Sequence, residues 1–336
     1  MKLAHAALSG LRSNIAARSP QNESAANVPT MFQFIQSIAM PPNDFLFARP
    51  PRAGGESIAE YGFPQVYVKY TFARKTALKY TARDGAQIGG FILEPLGSEG
   101  QTLTTILYCH GGAFFMPILP SSLEVAATYV TRLNCRVFMP EYRLTPKNPY
   151  PVPINDCYDA LAYVAGLDNV DVERVIIYGE SAGGCLAAET LHMCRDEGLL
   201  DPVAAMLIYP VADNAQDYPS LTNYEHATWS REANLNMWKL YLAGVDVSSS
   251  DYAVPMQQED FSGYPPVYIE PSEMDTLCDQ DIALAEKMRA AGVDVSGEMI
   301  PGAYHGFDGN LDSELVKSVL DVRIGWLEEC LSSEGE

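Results

Sequence analysis

Basic residues are scarce in this chain of 336 residues, with 22 lysines and arginines against 43 aspartates and glutamates. The resulting formal charge of -21 disfavours contact with phosphate groups, because proteins that bind nucleic acid or anionic membranes present a basic surface to them. We therefore expect no nucleic-acid partner. The excess of carboxylates is typical of a well-solvated acidic surface.

Long apolar runs and paired cysteines are also missing. No uninterrupted apolar stretch approaches the length of a membrane-spanning helix, so no membrane span is expected. The N-terminal stretch is broken by His5, Ser9 and Arg12, which makes it a poor signal peptide. The seven cysteines are odd in number and lack C-x-x-C spacing, which favours reduced, buried thiols and a cytoplasmic protein.

Motifs for metals and nucleotides are absent as well. The chain has no H-E-x-x-H, no P-loop and no well-placed dinucleotide fingerprint, so neither a metal nor an organic cofactor is expected. Its length fits one domain with insertions. No motif encodes the oligomeric state, and a homodimer is compatible with the sequence.

Strand and helix patterns alternate from about residue 66 onward. Asp84 and Gly85 predict a hairpin turn between strands Leu78–Arg83 and Gln87–Leu93. Further strands are predicted at Thr104–Cys109, Cys135–Pro140, Arg174–Tyr178, Val203–Tyr209, Pro266–Ile269 and Val295–Ile300. Helices are predicted at Leu123–Leu133, Asn155–Ala165, Ala182–Asp196, Asp281–Ala291 and Leu315–Leu331. This order predicts an α/β core, a mostly parallel sheet with helices on both faces.

One long excursion interrupts the alternation between Ala212 and Ser262. It contains a predicted helix at Arg231–Leu242 and is rich in tyrosine, tryptophan and asparagine. Compact domains rarely carry so long an insertion without a use, so we interpret it as a cap or lid over the site. A surface insertion without a role is the alternative. Before the sheet, helices are predicted near Ala4–Ala17 and Met31–Ile38.

The run G-E-S-A-G-G at Gly179 to Gly184 lies between a predicted strand and a predicted helix. A serine at such a sharp turn is exposed as a nucleophile but has a strained backbone. The glycines two residues before and after Ser181, Gly179 and Gly183, relieve the crowding. Alone the motif is weak, because chance supplies it in some chains of this length.

A serine nucleophile needs an imidazole base and a carboxylate partner for that base. The chain has five histidines, at His5, His110, His192, His226 and His305. Of these, His305 follows the last predicted strand in a glycine-punctuated loop, at the sheet edge that also presents the nucleophile. His305 is therefore the predicted base.

The carboxylate is expected just after the preceding strand, and the candidates are Glu270, Glu273, Asp275 and Asp279. Asp275 is favoured because it lies far enough beyond the strand to be on the loop. Glu273 is the alternative acid, or a residue that braces the loop with a hydrogen bond.

Acyl transfer also needs hydrogen-bond donors for the developing oxyanion. His110 and the adjacent Gly111 and Gly112 directly follow a predicted strand, and paired glycines let the backbone bend towards the site. The predicted donors are the N–H groups of Gly111, Gly112 and Ala182.

Taken together, the sequence resembles the hormone-sensitive-lipase family of α/β-hydrolase carboxylesterases. The residues that carry the resemblance occur in the family's order: His110 to Phe115, Tyr142 to Pro146 with Tyr150, Pro151 and Asp156, Gly179 to Gly184, Asp275 to Asp279, and Tyr304 to Phe307.

The resemblance implies the α/β-hydrolase fold, with a catalytic domain at 61–212 and 251–336 and a helical cap formed by 1–60 and 213–250. It implies the triad Ser181, Asp275 and His305. As supporting residues, Glu180 would brace the nucleophile turn, and Asp156 would anchor the loop around Tyr142 and Arg143. The sequence departs from the family at Ala113, where a third glycine often follows the histidine.

The expected activity is that of a serine carboxylesterase acting on small-molecule esters with short to medium acyl chains. Aromatic and methionine residues of the cap segments, among them Trp229 and Met237, indicate an apolar acyl or alcohol site. An amidase, formamidase or deacetylase with the same triad is the alternative. A non-catalytic small-molecule receptor on this fold is the lesser alternative, because Ser181 and His305 are both present.

Overall fold

Eight strands form one sheet in the part of the chain that the structure describes. A computed structural model describes residues 73–223, 228–247 and 250–332. In chain order the strands are β1 (Ala73–Thr81), β2 (Gln87–Pro95), β3 (Leu103–Cys109), β4 (Arg136–Pro140), β5 (Val170–Glu180), β6 (Ala204–Ile208), β7 (Val267–Glu270) and β8 (Val295–Ser296). Their spatial order is β1-β2-β4-β3-β5-β6-β7-β8. β2 pairs antiparallel with β1 and β4, and all later pairs are parallel.

Helices cover both faces of this sheet. They are α1 (Pro120–Leu133), α2 (Val152–Ala165), α3 (Ala182–Glu197), α4 (Ser220–Asn223), α5 (Arg231–Tyr241), α6 (Cys278–Ala290) and α7 (Glu314–Ser332). The central strand β3 is buried along its whole length. Its Leu107 packs in the core with α2 and α3, whereas Ile106 packs in the core with α1 and α7. This alternation is what a sheet between two helical layers requires.

The predicted hairpin is confirmed, since Thr81 pairs with Gln87 across the turn that contains Asp84 and Gly85. Within the described ranges, the predicted strands and helices occur in the predicted order, but their boundaries differ by up to five residues. β1 begins at Ala73, five residues before the predicted start. β5 begins at Val170, four residues before the predicted start. β8 ends at Ser296, because Gly297 has a positive φ of 92° and its backbone lies against the backbone of Ile269.

The described part of the long excursion contains α5, which packs against Phe114 in the loop after β3. Ser230 caps this helix by accepting a hydrogen bond from the Ala233 N–H at 3.1 Å. Tyr241 at its end is buried and stacks on Phe114 with ring centroids 3.9 Å apart. The N-terminal helices and cap segment 1–60 lie outside the described residues. The division into a catalytic domain and a cap thus stays a prediction.

Among the described residues, no helix combines the length and the apolar character that a membrane crossing needs.

Candidate active site

Ser181 lies between the last residue of β5 and the first residue of α3. Its backbone angles are φ 54° and ψ -123°, a conformation that residues with a side chain rarely adopt. Such strain persists only where the surroundings enforce it, and it is typical of functional sites. The strand-to-helix turn therefore presents one hydroxyl at the carboxyl end of β5.

The glycines around Ser181 are required by close packing of backbones. A Cβ atom on Gly179 would lie 2.0 Å from the carbonyl oxygen of Gly183. A Cβ on Gly183 would lie 2.0 Å from the carbonyl oxygen of Cys109. No side chain fits at either position, so α3 can start directly against β3 and β5 only with glycine there.

The structure brings Ser181, His305 and Asp275 into one hydrogen-bonded line. Ser181 Oγ lies 2.9 Å from His305 Nε2, and His305 Nδ1 lies 2.7 Å from Asp275 Oδ2. Asp275 is fully buried, and its Oδ1 accepts a hydrogen bond from the Leu277 N–H at 3.1 Å. A carboxylate at Nδ1 favours the tautomer whose proton is on that nitrogen, which leaves Nε2 to accept the serine proton.

Two residues from the excursion contact the His305 loop. Thr228 Oγ1 donates to the His305 carbonyl at 3.0 Å, and the Trp229 ring lies 5.8 Å from the imidazole in a stacked arrangement. Trp229 is itself held by Thr276, whose hydroxyl donates to its carbonyl at 3.0 Å. The excursion thus touches both loops that carry the acid and the base.

The other carboxylate candidates have different partners. Glu273 accepts the Gly302 N–H at 2.7 Å, which braces the loop that carries His305. Glu270 pairs with Arg323 in the core, and Asp279 accepts the Ser220 N–H at 2.7 Å. Of the four carboxylates, only Asp275 is hydrogen-bonded to the imidazole.

The oxyanion loop differs from expectation at Gly111. Its N–H donates to Glu180 Oε1 at 3.3 Å and is therefore not directed at the space beside Ser181. Within the described ranges, the N–H groups of Gly112, Ala113 and Ala182 have no hydrogen-bond acceptor. The prediction that the Gly111 N–H binds the oxyanion is therefore corrected, because this N–H is already hydrogen-bonded to the Glu180 side chain.

Glu180 connects three segments around the nucleophile turn. Besides Gly111, it accepts hydrogen bonds from Ser122 Oγ and Tyr108 Oη, each at 2.5 Å. Burial, and next the charge of Asp308, raise the pKa of Glu180. Its bonds join the loop after β3 and the start of α1 to the residue next to Ser181, as the bracing role for Glu180 requires.

His110 supports the oxyanion loop from within the core. Its Nδ1 lies 2.7 Å from the Gly111 carbonyl oxygen, and its ring stacks on Tyr142 at 4.2 Å. Burial lowers the pKa of His110 to about 4, so the ring is neutral at pH 7.

Asp156, also buried, holds Arg143 through the backbone N–H at 2.8 Å and the guanidinium at 2.7 Å. His192 lies away from the site and pairs with Tyr264.

The sequence did not single out Ser122, Thr228 or Tyr209, which surround the site in the structure. Tyr209 directly follows β6, and its ring lies 5.1 Å from that of His305. Its position one residue beyond a central strand was the available signal. No group of histidine, cysteine and carboxylate side chains suited to a metal occurs in the described ranges.

A family model described as the alpha/beta hydrolase fold matches residues 106–309, which include every segment of this site. The chain belongs to the α/β-hydrolase family. The resemblance to its hormone-sensitive-lipase branch is confirmed, and the observed strand order and helical layers agree with the fold.

Several curated relatives and solved structures that resemble this chain are named esterases. Carboxylesterase NlhH of Mycobacterium tuberculosis is 31% identical over 212 residues, which are 61% of this chain and 66% of that protein. The match thus spans just under two thirds of the relative. The structure of a bacterial heroin esterase has a TM-score of 0.74 at 28% identity and covers 79% of this chain and 87% of its own. A Rhizomucor miehei esterase at 23% identity has a TM-score of 0.77, covers 91% of this chain and 97% of its own, and shares the fold.

Proposed function

We propose that this α/β-hydrolase is a carboxylic ester hydrolase with Ser181 as its nucleophile. The observation that carries the proposal is the hydrogen-bonded line from Ser181 through His305 to buried Asp275 at 2.9 and 2.7 Å. A serine in a strained turn, paired with an imidazole and a carboxylate, is the arrangement that activates a hydroxyl for acyl transfer. The esterase names of the relatives at 31% and 28% identity support the same reaction.

In the proposed reaction, Ser181 Oγ attacks the ester carbonyl while His305 Nε2 takes the serine proton. Asp275 stabilises the imidazolium that forms, since its carboxylate lies 2.7 Å from Nδ1. The imidazolium then returns the proton to the leaving alcohol, and an acyl group remains on Ser181. Water, activated by the same imidazole, releases the acid and restores the serine.

The oxyanion that forms at the carbonyl requires nearby donors, and we assign them to the N–H groups of Gly112, Ala113 and Ala182. The support is that these groups have no other acceptor in the described ranges, whereas the Gly111 N–H is bound to Glu180. Each donor of this kind contributes about a hundredfold or more to the rate in enzymes with such a site.

We propose small-molecule esters with short to medium acyl chains as the substrate class. The ring of Phe114, on the oxyanion loop, packs on the rings of Trp238 and Tyr241, on α5. The surroundings of the oxyanion loop are therefore apolar on this side, which suits an uncharged acyl or alcohol group.

The test is a panel of nitrophenyl esters of increasing acyl length, with amides and a lactone included, on the parent protein and on Ser181→Ala. Ser318→Ala, on the surface of α7, is the matched control. We expect ester hydrolysis by the parent and by the control, and a loss of about 10⁴-fold or more in kcat in Ser181→Ala. Undiminished turnover in a folded Ser181→Ala variant would refute the proposal.

A further inference from the structure

Arg323 on α7 is fully buried and forms an ion cluster with two carboxylates. Its Nε and Nη2 donate to Glu270 at 3.0 and 2.6 Å, and its Nη1 donates to Asp308 at 2.8 Å. Glu270 is fully buried and Asp308 is 3% exposed. We call Arg323, Glu270 and Asp308 the Arg323 cluster.

Stability alone is a weak reason for the Arg323 cluster. Removing three charged groups from water has a large free-energy cost, and well-packed apolar side chains of similar volume are often equally or more stabilising. A buried ion cluster is more readily explained when it fixes the relative positions of the chain segments that carry its charged groups.

The two carboxylates of the Arg323 cluster belong to the segments that carry the acid and the base. Glu270 is the last residue of β7, five positions before Asp275. Asp308 follows His305 by three positions in a short 3₁₀ turn. Arg323 therefore ties together the starting point of the Asp275 loop and the end of the His305 loop.

Tyr209 extends the Arg323 cluster to the imidazole itself. Its hydroxyl donates to Asp308 Oδ1, and its backbone N–H donates to the Glu270 carbonyl at 2.9 Å. Its ring meets that of His305 edge to face, with centroids 5.1 Å apart at 61°. Burial raises the pKa of the Tyr209 hydroxyl well above its usual range, so the group remains a donor.

The backbone of Tyr209 is also strained and lies beside the nucleophile. Its φ is 34°, an outlier for a bulky residue. The preceding residue, Ile208, accepts the Ser181 N–H at 3.0 Å, and Val211 donates to the Ser181 carbonyl at 2.9 Å. Tyr209 thus lies in a segment that is hydrogen-bonded to the Ser181 backbone, and its ring contacts the His305 imidazole.

We propose that Tyr209, held by the Arg323 cluster, is a positioning residue that keeps the His305 imidazole aligned with Ser181. The inference rests on the esterase function proposed above. Tyr209 is 3% exposed and acts on the base, which makes its contribution one to turnover and not to substrate affinity.

The loop that carries His305 has little rigidity of its own. Gly302 and Gly306 flank His305 with positive φ values of 70° and 75°, in the left-handed region that favours glycine. Proton transfer is sensitive to displacements well below 1 Å, and a misplacement of about 1 Å can reduce a rate by about a hundredfold. A ring packed on the imidazole and fixed by its hydroxyl limits such displacements.

The test compares Tyr209→Phe and Asp308→Asn with the parent enzyme. Tyr209→Phe keeps the ring and removes its bond to Asp308, whereas Asp308→Asn keeps an acceptor and removes the charge. We expect kcat, measured per active site titrated with a serine-reactive phosphonate, to fall about tenfold in both variants, with KM within about twofold of the parent. Thermal unfolding of each variant verifies that the titrated protein is folded.

Tyr268→Phe is the matched control. It also deletes a buried phenol hydroxyl that donates to Glu270, at 3.1 Å, but its ring packs on Trp326 and not on His305. We expect its kcat to match that of the parent even if its stability falls. The inference is overturned if Tyr209→Phe and Asp308→Asn turn over at the parent rate. An inactive parent, or an active Ser181→Ala, would instead reject the proposed function.

Discussion

The backbone N–H of Gly111 donates to the carboxylate of Glu180, the residue next to the nucleophile. This bond joins the loop after β3 to the end of β5. With Ser122 and Tyr108 as its other donors, Glu180 fixes how the oxyanion loop approaches Ser181. The side chain beside the nucleophile thereby controls which N–H groups of the loop stay free.

Replacing Glu180 with alanine should disrupt the oxyanion loop. Three buried donors would lose their acceptor, and each unsatisfied group has a free-energy cost of about 1–3 kcal/mol. We expect Glu180→Ala to unfold at clearly lower denaturant concentration and to lose about a hundredfold in kcat. Glu180→Gln keeps an acceptor oxygen, so its kcat should fall less than tenfold. Urea unfolding and ester kinetics would contradict this if Glu180→Ala matched the parent in both.

The sequence predicted the order of strands and helices well, because apolar periodicity is a local property of each segment. It also singled out Ser181, Asp275 and His305, since their order along the chain and their positions after strands are visible in one dimension. The direction of a single N–H is not visible in this way. The sequence favoured the Gly111 N–H as an oxyanion donor, because nothing in the run His110 to Ala113 shows that this N–H is hydrogen-bonded to Glu180.

The burial of the Arg323 cluster could not be predicted from the sequence for a similar reason. An arginine at position 323 in an amphipathic helix is compatible with an exposed side chain, and its burial depends on Glu270 and Asp308, which are distant in sequence. Tyr209 looked like the end of a strand. Its contact with His305 arises only when the carboxyl ends of β6 and β8, which lie on either side of β7, face the same edge of the sheet.

Ala113 occupies a backbone conformation that favours glycine, with φ of 55°. The left-handed conformation costs a residue with a side chain roughly 1–2 kcal/mol, and the greater freedom of glycine in the unfolded chain offsets about half of the gain. Ala113→Gly should therefore raise the free energy of unfolding by about 0.5–1 kcal/mol. Denaturant titration of both proteins measures this, and a less stable variant would show that the loop is not strained at this residue.

Two glycine-to-alanine substitutions should have opposite effects on stability, because α3 lies close against β3 at Gly183 whereas the space around Gly325 is open. Gly183→Ala would place a methyl group 2.0 Å from the Cys109 carbonyl, so we expect at least about 3 kcal/mol of destabilisation or a failure to fold. Gly325 lies inside α7 with no atom within 4 Å of the added methyl group. Gly325→Ala should stabilise the protein by about 0.5–1 kcal/mol. Equal unfolding midpoints for the two variants would contradict the packing argument.

Asp281, in the first turn of α6, is fully buried, and neither carboxyl oxygen has a hydrogen-bond partner in the described part of the chain. Burial, and next the charge of Asp275, raise the pKa of Asp281 well above its usual range. The folded protein therefore keeps a proton that the unfolded chain releases above about pH 4. The stability contributed by the neutral Asp281 carboxyl group is therefore fully present below about pH 4 and is lost as the pH rises above it.

Asp281→Asn should remove this loss, because asparagine resembles the neutral carboxyl group and does not ionise. We expect the variant to equal the parent in stability near pH 4 and to exceed it increasingly towards pH 7, with a slope of at most about 1.4 kcal/mol per pH unit. Asp279→Asn, two residues away, is the control: its carboxylate accepts the Ser220 N–H at 2.7 Å, so the same substitution should lower stability. Urea titrations at pH 4, 5.5 and 7 distinguish the two. If Asp281→Asn gains nothing at pH 7, the carboxyl group is ionised in the fold, and the unfavourable burial inferred for it is wrong.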